Sequence, residues 1–209
     1  MKKLLIISGI GLLAAGFLSA QEFPRFTFNF GAGFTTPVGS TGSQLDTGWN
    51  IQGGAGMNFT SHLGANIDLG FNDLGISSST LANLGVPGGS VHVFSATLDP
   101  IVHLTPHSHV DFYLTGGGGL YRWYQQFTAP TTAIVGVFNP FFGFYNAAFP
   151  ATQILSSYSV NRPGANIGAG VAFGSAFGHG KFFAEARYNH IYLAHSRADY
   201  IPVTFGFRW

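Results

Sequence analysis

The chain has 209 residues, of which only 8% are charged while 16% are aromatic, with 22 Phe and 30 Gly. A soluble domain usually carries roughly 25% charge and depends on it for solubility, so this composition excludes a surface that faces water throughout. There is no Cys, which excludes a disulfide framework and lipid attachment at a cysteine, and a formal net charge of +1 offers nucleic acid no basic footprint.

Residues 1–20, "MKKLLIISGIGLLAAGFLSA", open with Lys2 and Lys3, continue with a short apolar stretch and end on Ser19-Ala20. That is the layout of a secretory signal peptide, and a cut after Ala20 leaves residues 21–209 as the folded domain. After residue 20 no run is long and apolar enough for a spanning helix, which needs ~20 residues. The remaining way to be apolar in a membrane is a closed sheet, whose strands alternate apolar and polar positions in segments of about ten residues.

That alternation recurs along the chain. "RFTFNFGAGFT" puts Phe26, Phe28, Phe30, Ala32 and Phe34 on one face and Arg25, Thr27 and Asn29 on the other. "GWNIQGGAGMNFT" sets Trp49, Ile51, Ala55, Met57 and Phe59 against Asn50, Gln52 and Asn58. In "LGANIDLGFND" the outer set is Leu63, Ala65, Ile67, Leu69 and Phe71, with Asn66 and Asp68 inside. "SVHVFSATLDP" turns Phe94, Ala96 and Leu98 one way, and Ser95, Thr97 and Asp99 the other.

Next, "HVDFYLTGGGGLYRWY" opposes Val110, Phe112, Leu114 and Leu120 to Asp111, Tyr113, Thr115 and Tyr121. "GANIGAGVAFG" offers Ile167, Ala169, Val171 and Phe173, and "KFFAEARYNHI" places Phe182, Ala184, Ala186 and Tyr188 outside with Glu185, Arg187 and Asn189 inside. The closing "YIPVTFGFRW" aligns Ile201, Val203, Phe205, Phe207 and Trp209. About eight strands result, and the charges test the faces independently, because these were assigned from apolar residues alone. Arg25, Asp68, Asp99, Asp111, Lys181, Glu185, Arg187 and Arg208 fall inside and only Arg122 outside. On the lipid face at mid-membrane, Arg or Lys would cost ~2–4 kcal/mol.

Short turns near 60–62, 105–108 and 175–180 alternate with longer loops near 36–47, 75–89, 125–162 and 192–199. This predicts an all-β, eight-stranded antiparallel up-and-down transmembrane barrel with both termini in the periplasm. The last strand must pair with the first, since an open edge is not tolerated in lipid.

In "YLTGGGGLY" (113–121), "FFAEARYNHI" (182–191) and "IPVTFGFRW" (201–209) the chain resembles the small OmpA/OmpX-like outer-membrane barrels. The resemblance implies a barrel-only member with no second, periplasmic domain, integral in the outer membrane among its lipids and lipopolysaccharide. It also implies that Phe205, Phe207 and Trp209 form the C-terminal signal read by the outer-membrane assembly machinery.

An eight-stranded barrel is just wide enough for side chains to fill, so Asp68, Asp99, Asp111, Glu185 and Arg187 are expected to form a buried polar network, with a narrow ion path as the alternative. His103, His107 and His109 surround one turn without a metal-binding spacing. Gly116 to Gly119 lie within a strand with no following helix or Lys, so they serve bending or close packing and not phosphate. His195, Ser196 and Asp199 contain the residue types of a hydrolytic triad, but adjacent residues of an extended segment point to opposite faces. No catalytic, metal or cofactor site is therefore expected; a lipid A-modifying enzyme is the alternative.

Residues 125–162 read as the longest loop and the first place to seek an unknown extracellular ligand. A hairpin of 132–138 and 141–149, turned at Asn139-Pro140, would instead make ten strands; eight are retained. The expected role is structural or adhesive.

Overall fold

The structure is a computed structural model and describes residues 25–174, 180–193 and 197–209. The leader expected at residues 1–20, most of the 175–180 turn, and His195 with Ser196 lie outside the described residues.

The alternating segments form eight strands: β1 (Phe26–Val38), β2 (Leu45–Asn58), β3 (Leu63–Ile76), β4 (Gly88–His103), β5 (Val110–Asn139), β6 (Gly143–Gly174), β7 (Lys181–Tyr192) and β8 (Arg197–Arg208). Each pairs antiparallel with its sequence neighbour, and β8 returns to β1, closing the barrel. The closure runs to the end of the chain: Phe28 N donates to Trp209 O at 2.7 Å and Trp209 N to Phe28 O at 2.9 Å. Every described strand therefore has two partners across lipid depth, which satisfies the backbone where water cannot.

The period-two reading of the faces holds. On β1, Phe26, Phe28, Phe30 and Phe34 are exposed while Thr27, Asn29 and Thr35 are buried in the lumen. On β8, Phe205 and Phe207 are exposed and Thr204 and Arg208 buried. An aromatic patch lies on the exterior near the loop end, where Trp49, Phe94 and His92 pack around Phe71, with ring centroids 4.8–5.8 Å apart. The face assignment left out Asp73 on this exterior, which accepts from Trp49 Nε1 at 3.0 Å and lies 3.1 Å from His92 Nδ1.

The two ends of the barrel differ. The described chain ends, Arg25 and Trp209, share one end with the short β2–β3 and β4–β5 turns. At the other, the loop end, α1 (Gly39–Gly42) joins β1 to β2 and α2 (Ser78–Leu84) joins β3 to β4. Ser77 caps α2, its hydroxyl accepting from Thr80 N, and Gly85 closes it at φ +66°, a conformation glycine adopts without a Cβ penalty.

Residues 125–162 are not a loop. β5 and β6 continue as one hairpin, and only Pro140, Phe141 and Phe142 separate Asn139 from its partner Gly143. The segments 132–138 and 144–150 pair as an extension of these two strands and not as a ninth and tenth. β4 stops accompanying β5 at Thr128 and β7 stops accompanying β6 at Gly164. The stretch from Ala129 to Gln153 is thus a free two-stranded ribbon of roughly 35 Å at ~3.3 Å per residue.

Candidate functional site

The lumen is layered, and each layer follows from which inward residues the register places at one height. At mid-barrel Arg187 of β7 reaches across the bore: Nη2 donates to Asp68 Oδ2 of β3 at 2.6 Å, Nη1 to Asp99 Oδ2 of β4 at 2.6 Å, and Nε to Glu185 Oε1 beside it on β7. All four residues are buried. Buried carboxylates need donors for their remaining lone pairs, and the neighbours supply them. Asn29 Nδ2 donates to Asp68 Oδ1 at 3.1 Å, Asn166 Nδ2 to Asp99 Oδ1 at 2.8 Å and Thr97 Oγ1 to Asp99 Oδ2 at 2.6 Å.

Glycine on the neighbouring strands makes room for this cluster. A Cβ on Gly54 would lie 1.9 Å from Asp68 Oδ1, and one on Gly117 would lie 2.0 Å from Leu98 O and 2.6 Å from Asp99 Oδ1. A void at this height measures ≈ 20 Å³, lined by Asp68, Thr97, Asn166, Arg187 and Asn189 among others. That is room for about one water molecule.

Asp111 stands apart from the expected network. It is buried on the inner face but lies near the terminal end, 2.5 Å from His103 Nδ1. Alternation assigns a residue to a face and says nothing of its height in the barrel, which is why four carboxylates and one arginine read as one group. Arg208 shares this lower layer, its guanidinium 4.4 Å from the Tyr113 ring centroid and 5.5 Å from that of Phe183.

Above the Arg187 cluster the inner face turns apolar. Leu74, Ile76, Val91, Val93, Tyr121, Trp123, Ile191 and Tyr200 form one buried core that fills the bore toward the loop end. This cap was not foreseen, and it separates the polar middle from a cavity of ≈ 420 Å³ that opens at the loop end.

The remaining candidates resolve as follows. Asp199 lies on the outer side of β8, where His190 Nδ1 is 2.5 Å from its Oδ1, which also accepts from Tyr188 Oη at 2.8 Å. Asp199 N donates to Thr41 Oγ1 at 3.0 Å, tying α1 to β8. His190 was missed because its partner sits on the next strand, paired across the β7–β8 register. His103 faces Asp111, and His107 meets His62 with ring centroids 6.2 Å apart. Among the described residues no group of three or more His, Asp or Glu is placed to hold a metal ion. Phe205, Phe207 and Trp209 are all exposed on the outer face of the closing strand.

An exterior of alternate apolar side chains around a filled polar bore defines a membrane-spanning antiparallel β-barrel of eight strands. The outer membrane protein beta-barrel domain matches residues 5–208, and the chain belongs to that family, which places it in the outer membrane. Neisserial surface protein A is similar in structure, with 16% identity and a TM-score of 0.56 over 88% of this chain and 95% of that one. The attachment invasion locus protein Ail of Yersinia pestis, solved with the heparin analogue sucrose octasulfate, gives 15% identity and a TM-score of 0.48, covering 89% and 100%. The N-terminal barrel domain of Pseudomonas aeruginosa OprF gives 17% and 0.41, covering 88% and 98%. No curated protein matches the chain.

Proposed function

We propose that this barrel is a surface adhesin that attaches its cell to apolar surfaces through the β5–β6 ribbon, with the chain termini in the periplasm and the ribbon outside. The observation that carries the reading is the ribbon's composition together with its isolation. Between Arg122 and Arg162 there is no Asp, Glu, Lys, Arg or His. The tip exposes Phe141 at 90% and Phe142 at 83%, with Phe138, Phe144 and Ile134 behind them. An isolated two-stranded hairpin is marginal in water, and a contiguous exposed apolar patch marks an interaction surface. Short turns at the terminal end and long connections at the other support this orientation.

The bore supports an anchoring role rather than a conducting one, since the mid-barrel void admits about one water and the apolar cap lies above it. Phe205, Phe207 and Trp209 are the residues through which the assembly machinery would recognise the chain. Modification of lipid A is the second reading, carried by Ser90 Oγ 3.3 Å from His92 Nε2 and His92 Nδ1 3.1 Å from Asp73 Oδ1; lipid A identical in cells carrying the parent and the Ser90→Ala barrel would reject it.

The test is attachment of cells displaying the protein to a hydrocarbon-coated surface. Phe141→Ser combined with Phe142→Ser should cut attachment at least several-fold with surface level unchanged. Attachment equal to that of cells lacking the protein, or untouched by the tip substitutions, would reject adhesion by this ribbon.

A further inference from the structure

The cavity above the apolar cap has a lining that selects its own ligand. Leu45, Ile76, Trp123, Val160 and Leu193 contribute apolar wall, and Arg162 and Arg197 contribute positive charge with no carboxylate among the described lining residues. Arg162 is paired in register with Tyr121, whose side chain is inside the bore, so Arg162 also points inward. Its Nε is buried and has no hydrogen-bond partner. An unmet buried donor is costly, more so when charged, and a guanidinium presents its donors in a fork that fits an oxyanion. Arg197 also lines the cavity, with a side chain 70% exposed and its Nε 3.6 Å from Asp199 Oδ2. A volume of ≈ 420 Å³ falls in the ~300–1,000 Å³ range of small-molecule sites, which combine apolar walls with a few convergent polar groups.

We infer that this cavity binds a small anionic amphiphile, its oxyanion on Arg162 and Arg197 and its apolar body against Trp123, Val160, Ile76 and Leu193. Trp123 and Val160 are paired neighbours on β5 and β6 at the base of the ribbon, so the ligand would sit where the free hairpin leaves the barrel. The site is independent of what the ribbon tip touches.

The test is isothermal titration of sodium decanoate into the full-length barrel in phosphatidylcholine nanodiscs, with empty nanodiscs correcting for partition. Saturable one-to-one binding is expected, weakened at least tenfold in Arg162→Leu and for decanol, which keeps the chain and lacks the charge. Val160→Trp fills the cavity without altering charge and should abolish binding even if Arg162→Leu proves unable to fold. Weaker decanoate binding in nanodiscs containing phosphatidylglycerol would support the site with a membrane lipid as its natural source, and unchanged binding would support it with a soluble one. Partition identical to empty nanodiscs, equal binding of decanol, or full binding by the folded Val160→Trp variant would each overturn the inference.

Discussion

Among the described residues Arg187 is the cation paired with Asp68, Asp99 and Glu185, and all of these side chains are buried. Replacing it with Met keeps much of the side-chain bulk but leaves three carboxylates facing one another in the bore. Removing one partner of a buried ion pair costs about 3–5 kcal/mol. Asp99 retains donors from Thr97 and Asn166, and Asp68 retains Asn29, which argues for the lower part of that range despite three pairs being lost. The assay is equilibrium urea unfolding in lipid vesicles, followed by tryptophan fluorescence. The same substitution combined with Asp68→Asn, Asp99→Asn and Glu185→Gln should recover most of the loss, because exchanging a whole buried ionic cluster for neutral groups is often close to neutral. An Arg187→Met barrel within ~1 kcal/mol of the parent would show that the ion pairs contribute little. A quadruple variant as unstable as the single one would show that the arginine acts through packing and not charge.

Three further outcomes are expected. Gly54→Val should impair folding more than Gly53→Val, because a Cβ at Gly54 meets Asp68 Oδ1 at 1.9 Å whereas at Gly53 its nearest neighbour is 3.6 Å away; the heat-dependent gel mobility of folded barrels reads this directly. Planar bilayers containing the protein should show no steady conductance, and opening of stable channels by the intact chain would contradict the filled bore. Phe205→Ser with Phe207→Ser should lower the amount of folded barrel in washed outer membranes, and unchanged levels would deny those side chains a part in assembly.

The barrel was legible because lipid and a packed bore impose opposite demands on successive residues, and Phe26 to Phe34 or Phe182 to Tyr188 record them without ambiguity. The Asp68, Asp99, Glu185 and Arg187 cluster was legible as a set of inward charges. Asp111 was misgrouped because relative height depends on strand register, which alternation does not encode. The cap was hidden for another reason: Leu74, Val91, Val93 and Ile191 are inward and apolar near exposed apolar residues, so period two fades where the bore stops being polar. The ribbon was read as a loop, with paired strands there only an alternative, because neither of its faces carries charge and Pro130, Pro140 and Pro150 look like loop punctuation. Proline is tolerated there because the ribbon strands lack a second neighbour beyond Thr128 and before Gly164, and an edge strand does not require every N–H.

The hydrogen bonds of Arg187 to β3 and β4 join residues on opposite walls, separated by 119 and 88 positions in the chain. Neighbouring-strand pairing alone never creates them; an uncurled ladder of the same strands would keep its backbone bonds and leave the guanidinium without those two anions. The cluster therefore reports curvature, completing its charge balance only as the sheet rolls up. Until then an assembling chain carries a cation and three anions that favour water, which discourages a half-rolled sheet from settling into lipid before its edges meet.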